Sequence, residues 1–88
     1  MTTKAPSTVQ EYPADSLEKK AYESVGTIQT EEPNDRNRLG YHVWRWLTTK
    51  QGTLEQAISE SGARIHVSQE EAAKIIREAL TKLGITTN

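Results

Sequence analysis

The stretch Ser68-Gln69-Glu70-Glu71-Ala72-Ala73-Lys74-Ile75-Ile76-Arg77-Glu78-Ala79-Leu80-Thr81-Lys82-Leu83-Gly84-Ile85 decides the fold class, because it carries its own start, apolar stripe and stop. Ser68 and Glu71 have the spacing of a capping box, in which a serine hydroxyl takes the backbone N–H three residues on. Ala72, Ile75, Ile76, Ala79, Leu80 and Leu83 then recur along one helix face. Glu70/Lys74, Lys74/Glu78 and Glu78/Lys82 stand at i,i+4 on the outside. Gly84 occupies the position where a helix end turns left-handed, with Ile85 placed to touch Leu80 as in a Schellman motif. Glu70 and Glu71 sit in the first turn, where carboxylates meet the positive end of the helix dipole.

Upstream, the same signals recur in weaker form. Ala63-Arg64-Ile65-His66-Val67 alternates like a short half-buried extended segment. Thr53 with Gln56 makes another capping box, Leu54, Ala57 and Ile58 form an inner stripe, and Gly62 closes a helix of about eight residues. Between about Leu39 and Lys50, Leu39, Val43, Trp46 and Leu47 share one helix face, and Gln51-Gly52 ends it. Gly40 costs about 1 kcal/mol against Ala in a helix interior, which argues for a start beyond it. Glu31 to Asp35 reads as linker and Thr27 to Thr30 as a short strand. Asp15 with Glu18 offers a cap for a three-turn helix bearing Leu17, Ala21, Tyr22 and Val25, with Gly26 as its stop. A helix that short must dock or fray. Residues 1–12 hold only Val9 and Tyr12 of any bulk, so a disordered tail is expected there, followed by a weak helix and linker at 13–35 and a helical domain at 36–88. The fold class is therefore mainly α, with three to four helices and one or two short extended segments.

Composition limits the function. The 88 residues are 34% hydrophobic and 26% charged with a net charge of −1, so the molecule has no bulk field to gather nucleic acid or anionic lipid. Binding of either must be local. Residues 1–33 hold three Lys against six acids, whereas 34–88 hold eight Lys and Arg against six. The absence of cysteine excludes disulfides and thiolate sites and agrees with a cytoplasmic location. No apolar run approaches a membrane span. Motifs for a phosphate loop, a nucleophile elbow or a helical zinc site are missing, and His42 and His66 lie on different elements, so neither a catalytic role, nor a metal site, nor a cofactor is expected. A core this small is expected to have modest stability, which a homodimer would raise.

His42-Val43-Trp44-Arg45-Trp46-Leu47, the Gly52-Thr53 turn, the short helix closed by Gly62 and the final helix ending Leu80-Thr81-Lys82-Leu83-Gly84-Ile85 together resemble the helical core of winged helix-turn-helix domains, over about residues 39–85. That resemblance implies a DNA-binding regulator of transcription whose last helix brings Gln69, Lys74 and Arg77 toward the groove. Six residues, Ala63 to Ser68, stand where the tight motif has three or four, and little chain follows Ile85 to form a wing. The strongest charge cluster lies elsewhere: Arg36, Arg38, Arg45 and Lys50, with no acid among them and Tyr41 and Trp44 interleaved. Such a pattern suits phosphate contacts and base stacking. The alternative is a non-catalytic adaptor or inhibitor that binds a protein partner through Tyr41, Trp44 and the N-terminal segment, since aromatic anchors dominate many protein interfaces.

Overall fold

Ser16 opens the first helix by accepting the Lys19 backbone N–H at 3.1 Å. The cap is thus one residue later than the Asp15 predicted from its spacing to Glu18, and Glu18 lies in the first turn, where the helix dipole favours an acid. The computed structural model describes residues 16–86, so Asp15 and the tail expected at 1–12 lie outside the described residues. It contains α1 (Leu17–Val25), α2 (Pro33–Thr49), α3 (Leu54–Ser61) and α4 (Gln69–Lys82).

Helix α1 docks. Ala21, Ser24 and Val25 are fully buried, and the Ser24 hydroxyl, removed from water, donates to the Ala21 carbonyl at 2.6 Å. Gly26 does not make the left-handed stop expected of it; its φ is −65°, and the chain runs on through Thr27 N–H to Ser24 O (3.4 Å) and Ile28 N–H to Val25 O (3.1 Å). The Arg36 guanidinium lies over this glycine, where a Cβ would displace the end of that side chain.

Helix α2 begins at Pro33, well ahead of the predicted Leu39. Proline suits the first helical position, since its fixed φ is already helical and its missing N–H is not needed there. Pro33, Asn34 and Asp35, read above as linker, are therefore the first turn. Gly40 lies in the middle of the helix, where a Cβ would stand 3.0 Å from Tyr22 Cδ2 and 3.4 Å from Tyr22 Cα. The helix-propensity cost of glycine is accepted where α2 comes close against Tyr22 of α1.

The remaining two helices follow their local signals. Thr53 and Gln56 form the complete capping box of α3, and Gly62 ends it at φ 70°. Ser68 accepts the Glu71 N–H at 3.1 Å to open α4. At its end, Ile85 N–H donates to Leu80 O at 2.9 Å and Gly84 N–H to Thr81 O at 3.0 Å, the two bonds of a Schellman motif. The inner face of α4 is rotated from the expected stripe: Ala72, Ala73, Ile76 and Leu80 are buried, while Ile75, Ala79 and Leu83 are half-buried. Cover on both sides, from α1 and α3, brings Ala73 inside.

The two segments expected to be extended meet at a single antiparallel bridge, Thr30 to Ile65, supported by Glu31 N–H donating to Arg64 O at 3.1 Å. Beside it, Arg64 reaches Glu32 (2.6 Å), Glu31 (3.6 Å) and the fully buried Asp35 (3.6 Å), and Asp35 also accepts from Arg38. Burial pushes the Asp35 carboxyl toward neutrality, but the Arg38 hydrogen bond, a backbone hydrogen bond from Arg64 and both guanidinium charges outweigh it, and its pKa falls below the ordinary value. This cluster joins the start of α2 to the α3–α4 connection. Helix α1 packs on α2 and α4, α2 on α3, and α3 on α4. Helices α2 and α4 consequently lie across the core from each other, with Val25, Leu39, Val43, Leu54, Ile58, Ile76 and Leu80 fully or almost fully buried within the ring.

Candidate functional site

Helix α2 positions most of the candidate residues, and its phase sorts them. Leu39, Val43 and Leu47 point to the core. At about 100° per residue, Arg38, Tyr41, Arg45 and Thr48 fall within roughly 80° of one another on the opposite side, and all four are exposed. The Tyr41 ring meets the His42 ring edge-on at 5.6 Å and leans on Trp44, also at 5.6 Å, with 45° between planes. Trp44 is half-buried against the core, so its ring both supports the fold and backs the exposed tyrosine. Lys50 follows as the exposed C-cap of the helix, in the left-handed conformation with φ 58°, its N–H donating to the Trp46 carbonyl.

Arg36 does not join this group. Three residues before Leu39, it shares the buried side of α2, and its guanidinium lies 4.7 Å from the centre of the Tyr22 ring on α1. Arg38 is half-exposed and paired with Asp35. Gln69 and Lys74 are exposed on α4, a helix other than the one that carries Arg38 and Arg45. Arg77 is held by Glu55 of α3 at 3.1 Å. That hydrogen bond, with one from the backbone, lowers the Glu55 pKa against the opposing effect of its partial burial. Within the exposed α2 face, Arg45 and Lys50 are the fixed cations without an ion pair among the described residues.

A cavity of about 200 Å³ lies between α2, the α2–α3 turn and α3, lined by His42, Arg45, Trp46, Thr49, Gln51, Gly52, Gln56, Ala57 and Glu60. Trp46, expected in the core from its phase with Leu39 and Val43, is half-buried at the rim and donates its indole N–H to Gly52 O at 3.2 Å, which steadies the turn. Burial lowers the His42 pKa, the Arg45 charge lowers it further, and Glu60 acts in the opposite direction. His42 is therefore neutral at pH 7, and it connects the cavity to the Tyr41 cluster. Glu60, Gln51 and Gln56 did not stand out in the sequence. Their signal is the pairing of two polar rows: His42, Arg45 and Thr49 along α2 with Gln56 and Glu60 along α3.

Among the described residues, no group of three or more His, Asp or Glu is placed to hold a metal ion, and no helix is long and apolar enough to cross a membrane. No family model matches the chain, and no curated protein and no solved structure matches it either.

Proposed function

We propose that the protein is a small, non-catalytic nucleic-acid-binding accessory or regulatory factor that works through the outer face of α2. One observation carries this reading: Arg38, Tyr41 and Arg45 share a single exposed face of α2, the exposed Lys50 caps the same helix, and no acid occurs between Arg36 and Lys50. Cations track phosphates and an exposed aromatic stacks on bases, a combination suited to a single strand or an unpaired region. This differs from the docking that the winged helix-turn-helix resemblance implies. In α4 the first turn exposes Glu70 and Glu71, and Arg77 is engaged by Glu55, so that helix offers phosphate mainly repulsion.

The test is anisotropy of fluorescent single-stranded and duplex DNA at about 50 and 200 mM salt. Two phosphate contacts on a single strand, from Arg45 and Lys50, give a log–log slope of about −1.4, which over this range weakens binding roughly sevenfold. Six cations on a duplex, all the Lys and Arg named for DNA contact from the sequence, would weaken it roughly two-thousandfold, a slope of about −5. Replacing Arg45 and Lys50 together should lower affinity and flatten the slope; unchanged binding removes the α2 face from the site.

A second reading, a protein-binding adaptor, is favoured by Tyr41 itself. It is 37% exposed with its ring against His42 and Trp44, the form of an anchor that is ordered before binding. Absence of DNA binding at low salt, together with loss of an interacting protein on Tyr41→Ala without a change in fold, would select it.

A further inference from the structure

We propose that the cavity between α2 and α3 is a binding site for a small zwitterion of the α-amino-acid class. Its volume, about 200 Å³, lies below the roughly 300–1,000 Å³ of pockets for drug-sized ligands, so a nucleotide or an extended peptide does not fit inside it. A single small metabolite does. Its walls bear one fixed cation, Arg45 on α2, and one carboxylate, Glu60 on α3, and neither has an ion-pair partner among the described residues. The buried Ala57 and the half-buried Trp46 add apolar surface to the lining.

The arrangement of charges selects the ligand. A simple anion meets Arg45 but brings a second negative charge toward Glu60, and a simple amine does the reverse, whereas a zwitterion satisfies both at once. The hydrogen-bonding groups agree with this. The Gln56 carbonyl oxygen accepts the Thr53 N–H at 2.9 Å, which fixes that side chain and leaves its amide N–H₂ as donor. The Thr49 hydroxyl donates to the Arg45 carbonyl at 2.8 Å, and the Trp46 indole N–H is taken by Gly52. The turn that frames the cavity is therefore ordered before any ligand arrives, which limits the entropic cost of binding. His42 is neutral at pH 7 and adds no competing positive charge. Arg45 is shared with the proposed α2 face but Glu60 is not, so Glu60→Gln tests this site separately from nucleic-acid binding.

The experiment titrates the full ¹⁵N-labelled chain with individual L-amino acids, and separately with acetate and ethylammonium. The Trp46 indole N–H and the Gly52 and Glu60 amides serve as reporters, the indole resonance being assigned with Trp46→Phe. At least one amino acid should produce saturable shifts at these positions, with acetate and ethylammonium about tenfold weaker or worse, as expected when one charge-assisted contact is missing. Glu60→Gln and Arg45→Gln, both at exposed positions, should each weaken binding about tenfold, while Lys74→Gln on α4 leaves it unchanged. The proposal is overturned if no amino acid gives saturable shifts, if acetate or ethylammonium alone binds as well, or if Glu60→Gln binds with unaltered affinity.

Discussion

Gly40→Ala provides a decisive test of how α1 seats on α2, because the two possible outcomes differ in sign. In an ordinary helix interior, replacing glycine by alanine stabilises by about 1 kcal/mol. At this position the new methyl would lie 3.0 Å from Tyr22 Cδ2 and 3.4 Å from Tyr22 Cα, inside the roughly 3.5–4.0 Å of a favourable carbon contact. The ring has little freedom to retreat, since Arg36 covers it at 4.7 Å, and the Cα belongs to the α1 backbone. Overpacking of this kind costs about 1–3 kcal/mol, which exceeds the propensity gain. A net loss of about 1 kcal/mol is expected, or roughly 4–8 °C in the heat midpoint for a domain of this size. Thermal and urea unfolding followed by circular dichroism measure it. In a Tyr22→Ala background the ring is gone, and the same substitution should become neutral or stabilising, with a coupling of about 1–2 kcal/mol in the double-mutant cycle. A gain of about 1 kcal/mol from Gly40→Ala in the otherwise unaltered chain would refute the close seating of α1.

Three further outcomes follow from other parts of the molecule. The Asp35 pKa is lowered from 3.8 on folding, so its contribution to stability is complete above that value and is lost as pH falls through the lower folded value. Heat midpoints should therefore drop more steeply below about pH 4 in the parent chain than in Asp35→Asn, which should start from a lower midpoint at neutral pH; parallel acid limbs would count against the Asp35 cluster. Ser68→Ala removes the acceptor for the Glu71 N–H and should cost about 1 kcal/mol in urea unfolding, a loss that Asp at the same position should largely avoid. Gly84→Ala places a side chain at φ 86° and should cost about 1 kcal/mol or more, although no atom lies within 4 Å of the new methyl; a neutral result would mean that the helix end relaxes away from the Schellman geometry.

Helices α3 and α4 were legible because their ends are encoded within a few residues of themselves. Thr53 and Gln56, Gly62, Ser68, and Gly84 with Ile85 each act through a local hydrogen bond that sequence spacing states directly. The start of α2 was not legible in this way. Gly40 argued against a helix interior on propensity alone, and the reason for its presence there, the approach of Tyr22, comes from a different helix. The Asp35 cluster is equally hidden, since Arg64 reaches it from beyond α3 and nothing local marks the two as partners. Ala73 entered the core for a related reason: the width of a buried stripe is set by how many neighbours cover it, and α4 has two.

The count of cations on α2 was legible, and their directions were not. Given a helix beginning at Leu39, Arg36 belongs to no face and joins Arg38, Arg45 and Lys50 by proximity in sequence. Given one beginning at Pro33, Arg36, Leu39, Gly40, Val43 and Leu47 fall at i, i+3, i+4, i+7 and i+11, which is the buried stripe, and Arg36 must find cover rather than a phosphate. The Tyr22 ring supplies that cover. The same boundary turns Asp35 from a linker residue into a buried first-turn acid that occupies Arg38. A single displaced helix start thus accounts for both the packing of Arg36 on Tyr22 and a missed ion-pair cluster. It also explains why the salt slope expected for α2 is shallow: the cations that remain without an ion pair are Arg45, whose phase on the longer helix leaves it on the outside, and Lys50 at the exposed C-cap.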